Sequence, residues 1–224
     1  MSFDERTLAA YAQHAASYAD GWLSQPPPAD LQHAVTRHFR SGATGGISAD
    51  IGCGSGRDVD WLNRNGYPCV GFDASDALRA EAQRRFPDWR FEHSTLPLLA
   101  EIAPRTFDNV LCETVLMHLP HEEIAAAIDG LRRILVHDGV LYLSWRVSEV
   151  DQRDERGRLY TAFDSSLVRD AIAGMTILHE GEATGASSGK RVYAVVARLN
   201  GNRYKRKPAS GPGLRRDDTT TEHR

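Results

Sequence analysis

Residues 47–75 carry the feature that most restricts what this chain can fold into. A short apolar run, Ile47 to Ile51, leads into Gly52-Cys53-Gly54-Ser55-Gly56, and a segment with helical character follows from Asp58 to Asn65. Glycines crowded between a strand and a helix let the backbone turn tightly and pass close to a ligand. Pro68 to Phe72 reads as a second strand, continued by Asp73-Ala74-Ser75. Asp73 lies 17 positions beyond Gly56, about the length that one helix and one strand occupy. An acid at the end of that strand is placed to accept hydrogen bonds from both hydroxyls of a ribose.

The alternation continues beyond this unit. Ser75 to Phe86 is predicted as a helix, Trp89 to Glu92 as a third strand and Phe107 to Cys112 as a fourth. Glu122 to Leu135 places Ile124, Ile128, Leu131 and Leu135 on one helical stripe, and Val140 to Trp145 follows the turn His137-Asp138-Gly139 as a fifth strand. Strands alternating with helices imply a parallel sheet covered on both faces. Upstream, Leu8, Tyr11, Ala15, Tyr18 and Trp22 share the face of one helix, Phe3 to Trp22. Three prolines, Pro26 to Pro28, separate it from a second helix, Ala29 to Phe39. Downstream, the charged stretch Val147 to Gly157 reads as a surface loop and Ser165 to Ala173 as a short helix. Two late strands, Thr176 to Glu180 and Arg191 to Leu199, are joined through the small-residue segment 181–189. Residues 203–224 carry seven Lys/Arg against three Asp/Glu and almost no apolar side chains, the composition of a disordered basic tail. The expected organisation is a folded domain over 1–200, opened by a helical lid over 1–45, with a tail over 201–224.

Composition removes several classes of function. With 27 Lys+Arg against 30 Asp+Glu the net charge is −3, so no global field draws the chain to nucleic acid. Three cysteines without C-x-x-C spacing make neither a disulfide framework nor a zinc site. The N-terminus lacks the basic and apolar regions of a signal peptide, and no apolar run is long enough to span a bilayer. A soluble, cytoplasmic protein with no membrane role is expected.

The dinucleotide fingerprint G-x-G-x-x-G needs a glycine at 57 or 59, where Arg57 and Val59 stand. Asp50, two residues before the first glycine, would oppose a pyrophosphate and attract an ammonium group. A ligand with a ribose at one end and positive charge at the other fits better, and S-adenosylmethionine has both. The competing reading is a plain turn with two solvated acids. The strand before the loop, the helix after it and the acid at the right distance favour the cofactor.

With these residues in hand, the chain resembles the class I S-adenosylmethionine-dependent methyltransferases, and small bacterial members most. The resemblance runs from Tyr11 to Leu199. It rests on Tyr11-x-x-His14-Ala15-x-x-Tyr18, on Asp50-x-Gly52-x-Gly54-x-Gly56, on Leu116-Met117-His118-Leu119-Pro120 and on His137-Asp138-Gly139. It implies an α/β, Rossmann-like doubly wound sheet of seven mostly parallel strands, one of them antiparallel, preceded by a helical lid. It also implies that Asp50, Gly52, Gly54 and Gly56 surround the methionine part, that Asp73 binds the ribose and that Ala74 flanks the adenine. Ser94 and Thr95 stand where the family contacts the adenine amino group, with Ser94 in place of the frequent acid. Glu113 would sit near the methionine and the open methyl face, and Tyr11 and Tyr18 would form a lid over the cofactor. S-adenosylhomocysteine would be the product, and no metal is required.

Methyl transfer chiefly needs the acceptor held close to an already activated carbon. A base is needed only where the acceptor keeps its proton. Glu113 and His118 are the candidate catalytic residues, because both follow the fourth strand at the expected mouth of the site. Arg146 and Tyr160, with Trp145 and Arg158 nearby, are candidates for gripping a substrate carboxylate or phosphate. Cys112 lacks the Pro-Cys context of a cytosine methyltransferase, and His118 with His121 lacks a remote metal ligand. The expected function is methyl transfer to a small molecule. The alternatives are an RNA or protein methyltransferase that uses the basic tail, and a non-catalytic cofactor-binding protein.

Overall fold

The computed structural model describes residues 4–185 and 189–201. The predicted tail, 203–224, and the predicted helix start at Phe3 lie outside the described residues.

The first strand, β1 (Ser48–Ile51), is buried at every position, as suits a strand covered on both faces. It pairs in parallel with β2 (Cys69–Asp73) on one side and β4 (Phe107–Cys112) on the other. With β3 (Arg90–His93), β5 (Leu135–Arg146), β8 (Met175–Thr184) and β9 (Arg191–Leu199), these strands form a seven-stranded sheet in the order β3-β2-β1-β4-β5-β9-β8. β9 runs antiparallel to both its neighbours, so it is the one reversed strand in that sheet.

Side chains alternate across a strand, and that period divides the core into two layers. Val110, Cys112, Leu141, Leu143 and Trp145 join the apolar cluster that contains Ile124, Ile128 and Leu131 of helix α6 (Ile124–Ile134). Their neighbours Leu111, Val140 and Tyr142 face the opposite way. They pack with Leu31 and Val35 of α3 (Ala29–His38) and with Val59 and Leu62 of α4 (Arg57–Arg64). Helix α5 (Asp76–Arg85) is capped by Ser75, whose hydroxyl accepts from the Leu78 amide. Its Leu78 packs with Ala15 and Tyr18 of the N-terminal segment. The short helix α7 (Ser165–Ala171) adds Val168 to the first layer.

Four elements differ from the sequence expectation: β8 runs to Thr184, four residues beyond Glu180 into the expected connection, and three others depart as follows. The single leading helix is two, α1 (Glu5–Gln13) and α2 (Ala15–Leu23), because His14 leaves helical geometry at φ −120°, ψ 19°. The apolar spacing runs unbroken through that bend, so the pattern does not reveal it. Strand β5 starts at Leu135 rather than Val140. Leu135 is already extended, and the chain bulges through Asp138 (φ 65°) before regular pairing resumes. The charged loop after β5 contains a small antiparallel pair, β6 (Gln152–Arg153) with β7 (Leu159–Tyr160). Arg153 clamps Asp4 through contacts of 2.9 and 2.6 Å, and the Leu159 amide donates to Thr7 Oγ1 at 2.9 Å. This hairpin therefore holds α1 over the carboxyl ends of the strands.

Candidate active site

Ligand crevices in open α/β sheets lie beyond the carboxyl ends of the strands. A cavity of about 480 Å³ occupies that position, roofed by the N-terminal helices and the hairpin. Its floor begins at the glycine loop. Gly52 has φ 78°, and a Cβ there would lie 2.4 Å from Val115 Cγ2; Gly54 has φ 54°, and its Cβ would meet the Trp22 ring at 2.8 Å. Both positions exclude a side chain twice over, by backbone conformation and by space. The Gly54 amide donates to Asp73 Oδ2 at 2.9 Å and the Ser75 amide to Asp73 Oδ1 at 2.8 Å. Each carboxylate oxygen keeps accepting capacity beyond its one amide. Burial raises the Asp73 pKa against the opposing pull of the two amides.

Beside the loop, three acids crowd one arginine. Arg57 makes a two-pronged contact with Asp58, at 2.8 and 2.9 Å. Asp50 is 2% exposed, and its Oδ2 has no hydrogen-bond partner among the described residues. Burial, then the neighbouring Asp58, pushes its pKa well up. Glu113 accepts from the Ser144 hydroxyl, and burial pushes it up to about 7. Apart from the Arg57–Asp58 pair, this end of the cavity presents Asp30, Asp73 and Glu113, none of them in an ion pair among the described residues. Carboxyl groups on this wall that lack an ion pair of their own fit a ligand that brings a positive charge. S-adenosylmethionine fits: Asp73 would take the ribose, and Glu113 with the loop would hold the ammonium end.

The roof is aromatic and basic. His118 Nδ1 lies 2.6 Å from the Leu159 carbonyl, which can only accept, so that nitrogen carries the proton. Nε2 is then the acceptor, and the Tyr11 hydroxyl donates to it at 2.9 Å. Burial lowers His118 to about 4 and raises Tyr11. Arg158 pairs with Asp154 at 2.7 Å and lies over the rings of Tyr11, Tyr18 and Tyr160, at 5.4, 4.8 and 5.6 Å from their centroids. Arg146 ends β5, and among the described residues its side chain contacts Tyr160, whose hydroxyl is 3.4 Å away.

Most of the expected site residues meet at this cavity. Tyr11, Gly52, Gly54, Asp73, Ala74, Ser94, Glu113, His118, Arg146 and Tyr160 reach its wall. Asp50, Gly56, Thr95 and Tyr18 do not line it. Gly56 caps α4, and Tyr18 stacks on Trp22 with 5.5 Å between centroids. Ser94 donates to Glu101 at 2.9 Å. Trp145 is core, stacked on Phe163 at 5.2 Å. The sequence reading missed Trp22, Arg57 and Ser144. Trp22 was signalled by its place four residues beyond Tyr18 on the same stripe, and Arg57 by following the last glycine. Nothing local marked Ser144.

Comparison with known proteins agrees with this geometry. A family model described as a methyltransferase domain matches residues 49–143. A ubiquinone biosynthesis O-methyltransferase from Paracidovorax citrulli is 29% identical over 100 residues, 42% of this chain and 41% of that protein. A trans-aconitate 2-methyltransferase from Methylobacterium nodulans is 35% identical over 95 residues, 41% of this chain and 35% of that protein. The chain thus spans about two fifths of the length of the curated relatives it matches. Among solved structures, Burkholderia thailandensis 1,6-didemethyltoxoflavin-N1-methyltransferase aligns with a TM-score of 0.64 at 18% identity, over 87% of this chain and 88% of that one. Residues 49–143 match a methyltransferase-domain family model, and the sheet that carries them is similar in fold to that of the solved methyltransferase.

Proposed function

We propose that this chain transfers a methyl group from S-adenosylmethionine to a small molecule. The observation that carries the proposal is one roofed cavity whose glycine-loop end combines Asp73 with unneutralised carboxylates. When bound, S-adenosylmethionine supplies a methyl carbon already activated by its sulfonium. The protein's task is then to position the acceptor and exclude water. Tyr11 and Trp22 close the roof above the loop, and Asp4–Arg153 ties that roof down.

Within this proposal Asp73 takes the ribose hydroxyls, Ala74 and Ser94 flank the adenine, and Gly52, Gly54 and Glu113 hold the methionine part. Asp50 supports the loop from behind. His118 acts through Tyr11: its Nε2 fixes the phenol proton and turns the phenol oxygen toward the cavity. A histidine held neutral and engaged on both nitrogens is a weak base at pH 7, so its role is to orient Tyr11. Glu113, pushed up to about 7, is a site acid able to change protonation near neutrality.

The roof favours a small acceptor over a protein or RNA chain, because a polymer would have to displace α1 and the hairpin. The three cysteines are free and buried, which suits a reducing compartment such as the cytoplasm. The test is untargeted: methyl-labelled S-adenosylmethionine is supplied to the protein with a metabolite extract, and labelled products are identified. Labelled small molecules are expected. Cofactor binding without turnover in any extract would make the chain a binder, and label confined to RNA or protein would move it to those substrates.

A further inference from the structure

Among the described residues three arginines line the cavity, and two of them pair with a carboxylate. Arg57 is tied to Asp58 and Arg158 to Asp154. Arg146, half-buried at the end of β5, has no ion pair among the described residues; it contacts only the hydroxyl and the ring face of Tyr160, at 3.4 Å and 5.6 Å from the ring centroid. A partly desolvated guanidinium facing a cavity without a counter-ion is costly, and a bound anion removes that cost.

Strand order gives the distance from the acidic end. Asp73 ends β2, Glu113 follows β4 and Arg146 ends β5, with β1 between β2 and β4. Neighbouring strands are ~4.8 Å apart, so Arg146 lies about one spacing past Glu113 and three past Asp73. A cationic ligand in the acidic end therefore leaves Arg146 free, next to the point where that ligand's positive end stops. Apolar side chains also line the cavity, among them Leu8, Met117 and Val192.

We infer that the methyl acceptor carries a single carboxylate, seated on the Arg146 guanidinium with the Tyr160 hydroxyl beside it, on an apolar body. One unpaired cation matches one negative charge, whereas a phosphate monoester carries about −1.5 to −2 at pH 7. The inference names the substrate class of the methyltransferase proposed above and rests on that reading.

The test is a binding experiment on the full chain saturated with S-adenosylhomocysteine, using phenylacetate and its neutral counterpart phenylacetamide as probes. Wild type is expected to bind phenylacetate about tenfold or more tightly than phenylacetamide, the factor for one charge-assisted hydrogen bond. Arg146→Met is expected to erase the preference, and Arg146→Lys to keep part of it, while both bind S-adenosylhomocysteine as wild type does. That unchanged cofactor affinity also shows that the variants are folded. No anion preference in wild type, including no binding of either probe, overturns the inference, as does a preference that survives Arg146→Met. Absence of S-adenosylhomocysteine binding by wild type, with the anion preference present on the ligand-free chain, would overturn the methyltransferase reading instead and leave the anion site standing.

Discussion

The two ends of the cavity are built by different means and carry opposite charge. The end under β1, β2 and β4 is made largely of backbone: a glycine loop, the amides that hold Asp73, and buried acids that lack neutralising partners. The end beyond β5 is made of side chains from distant segments, with Tyr11, His118, Arg158 and Tyr160 brought together by the hairpin and α1. The contrast separates two tasks. A rigid, acidic backbone cradle suits one invariable cationic cofactor, and a basic aromatic wall on loops suits a substrate that differs from one protein to the next.

The most severe way to break the acidic end is Gly54→Val. A Cβ there would strike Trp22 and force a strained φ, so the roof and loop cannot both keep their places. Binding of S-adenosylhomocysteine is expected to vanish from calorimetry while circular dichroism still reports a folded chain. Near-native affinity would mean that the loop does not contact the cofactor.

Asp73→Ala is expected to act more moderately. It removes the proposed ribose acceptor, and a hydrogen bond to a charged group contributes roughly 1.5–3 kcal/mol. S-adenosylhomocysteine affinity should fall about 10–150-fold. A part of that loss reflects the loop, since Gly54 and Ser75 amides lose their acceptor. Adenosine binding by the same variant checks this, because a ribose contact requires that it weaken as well.

The acidic end was also the more legible one in sequence, for the same reason that it is rigid. Gly52 to Gly56 and Asp73 form one continuous strand–loop–helix–strand unit, so spacing along the chain converts directly into position. The buried strands of the parallel sheet were readable as apolar runs, and β4 matches the expected bounds of Phe107 to Cys112. The basic end depends on contacts between segments far apart in sequence, such as Tyr11 with His118 and Leu159 with Thr7. The bend at His14 that aims Tyr11 is silent in the apolar pattern. The β6–β7 pair is too short and too charged to show a strand period, and the Ser144–Glu113 contact joins neighbouring strands that no local signal links.

A gentler probe of the contrast is proton linkage. Glu113 is raised to about 7, so at lower pH it is protonated and neutral, and a cationic ligand must expel that proton to gain its charge. Affinity for an ammonium ligand should therefore fall with decreasing pH below 7, by at most about tenfold per unit. Glu113→Gln is expected to flatten the profile and hold affinity near the low-pH value. A wild-type slope retained in Glu113→Gln would assign the proton to another group.

The most direct test of opposite charge at the two ends compares S-adenosylhomocysteine with adenosine on the full chain, by calorimetry at pH 6 and pH 7.5. Both carry the ribose, but only the first carries the ammonium. S-adenosylhomocysteine should bind up to about tenfold more tightly at the higher pH, with release of a proton, while adenosine affinity stays the same. Equal pH dependence for the two ligands, or none for either, would contradict an acidic end built for a cation.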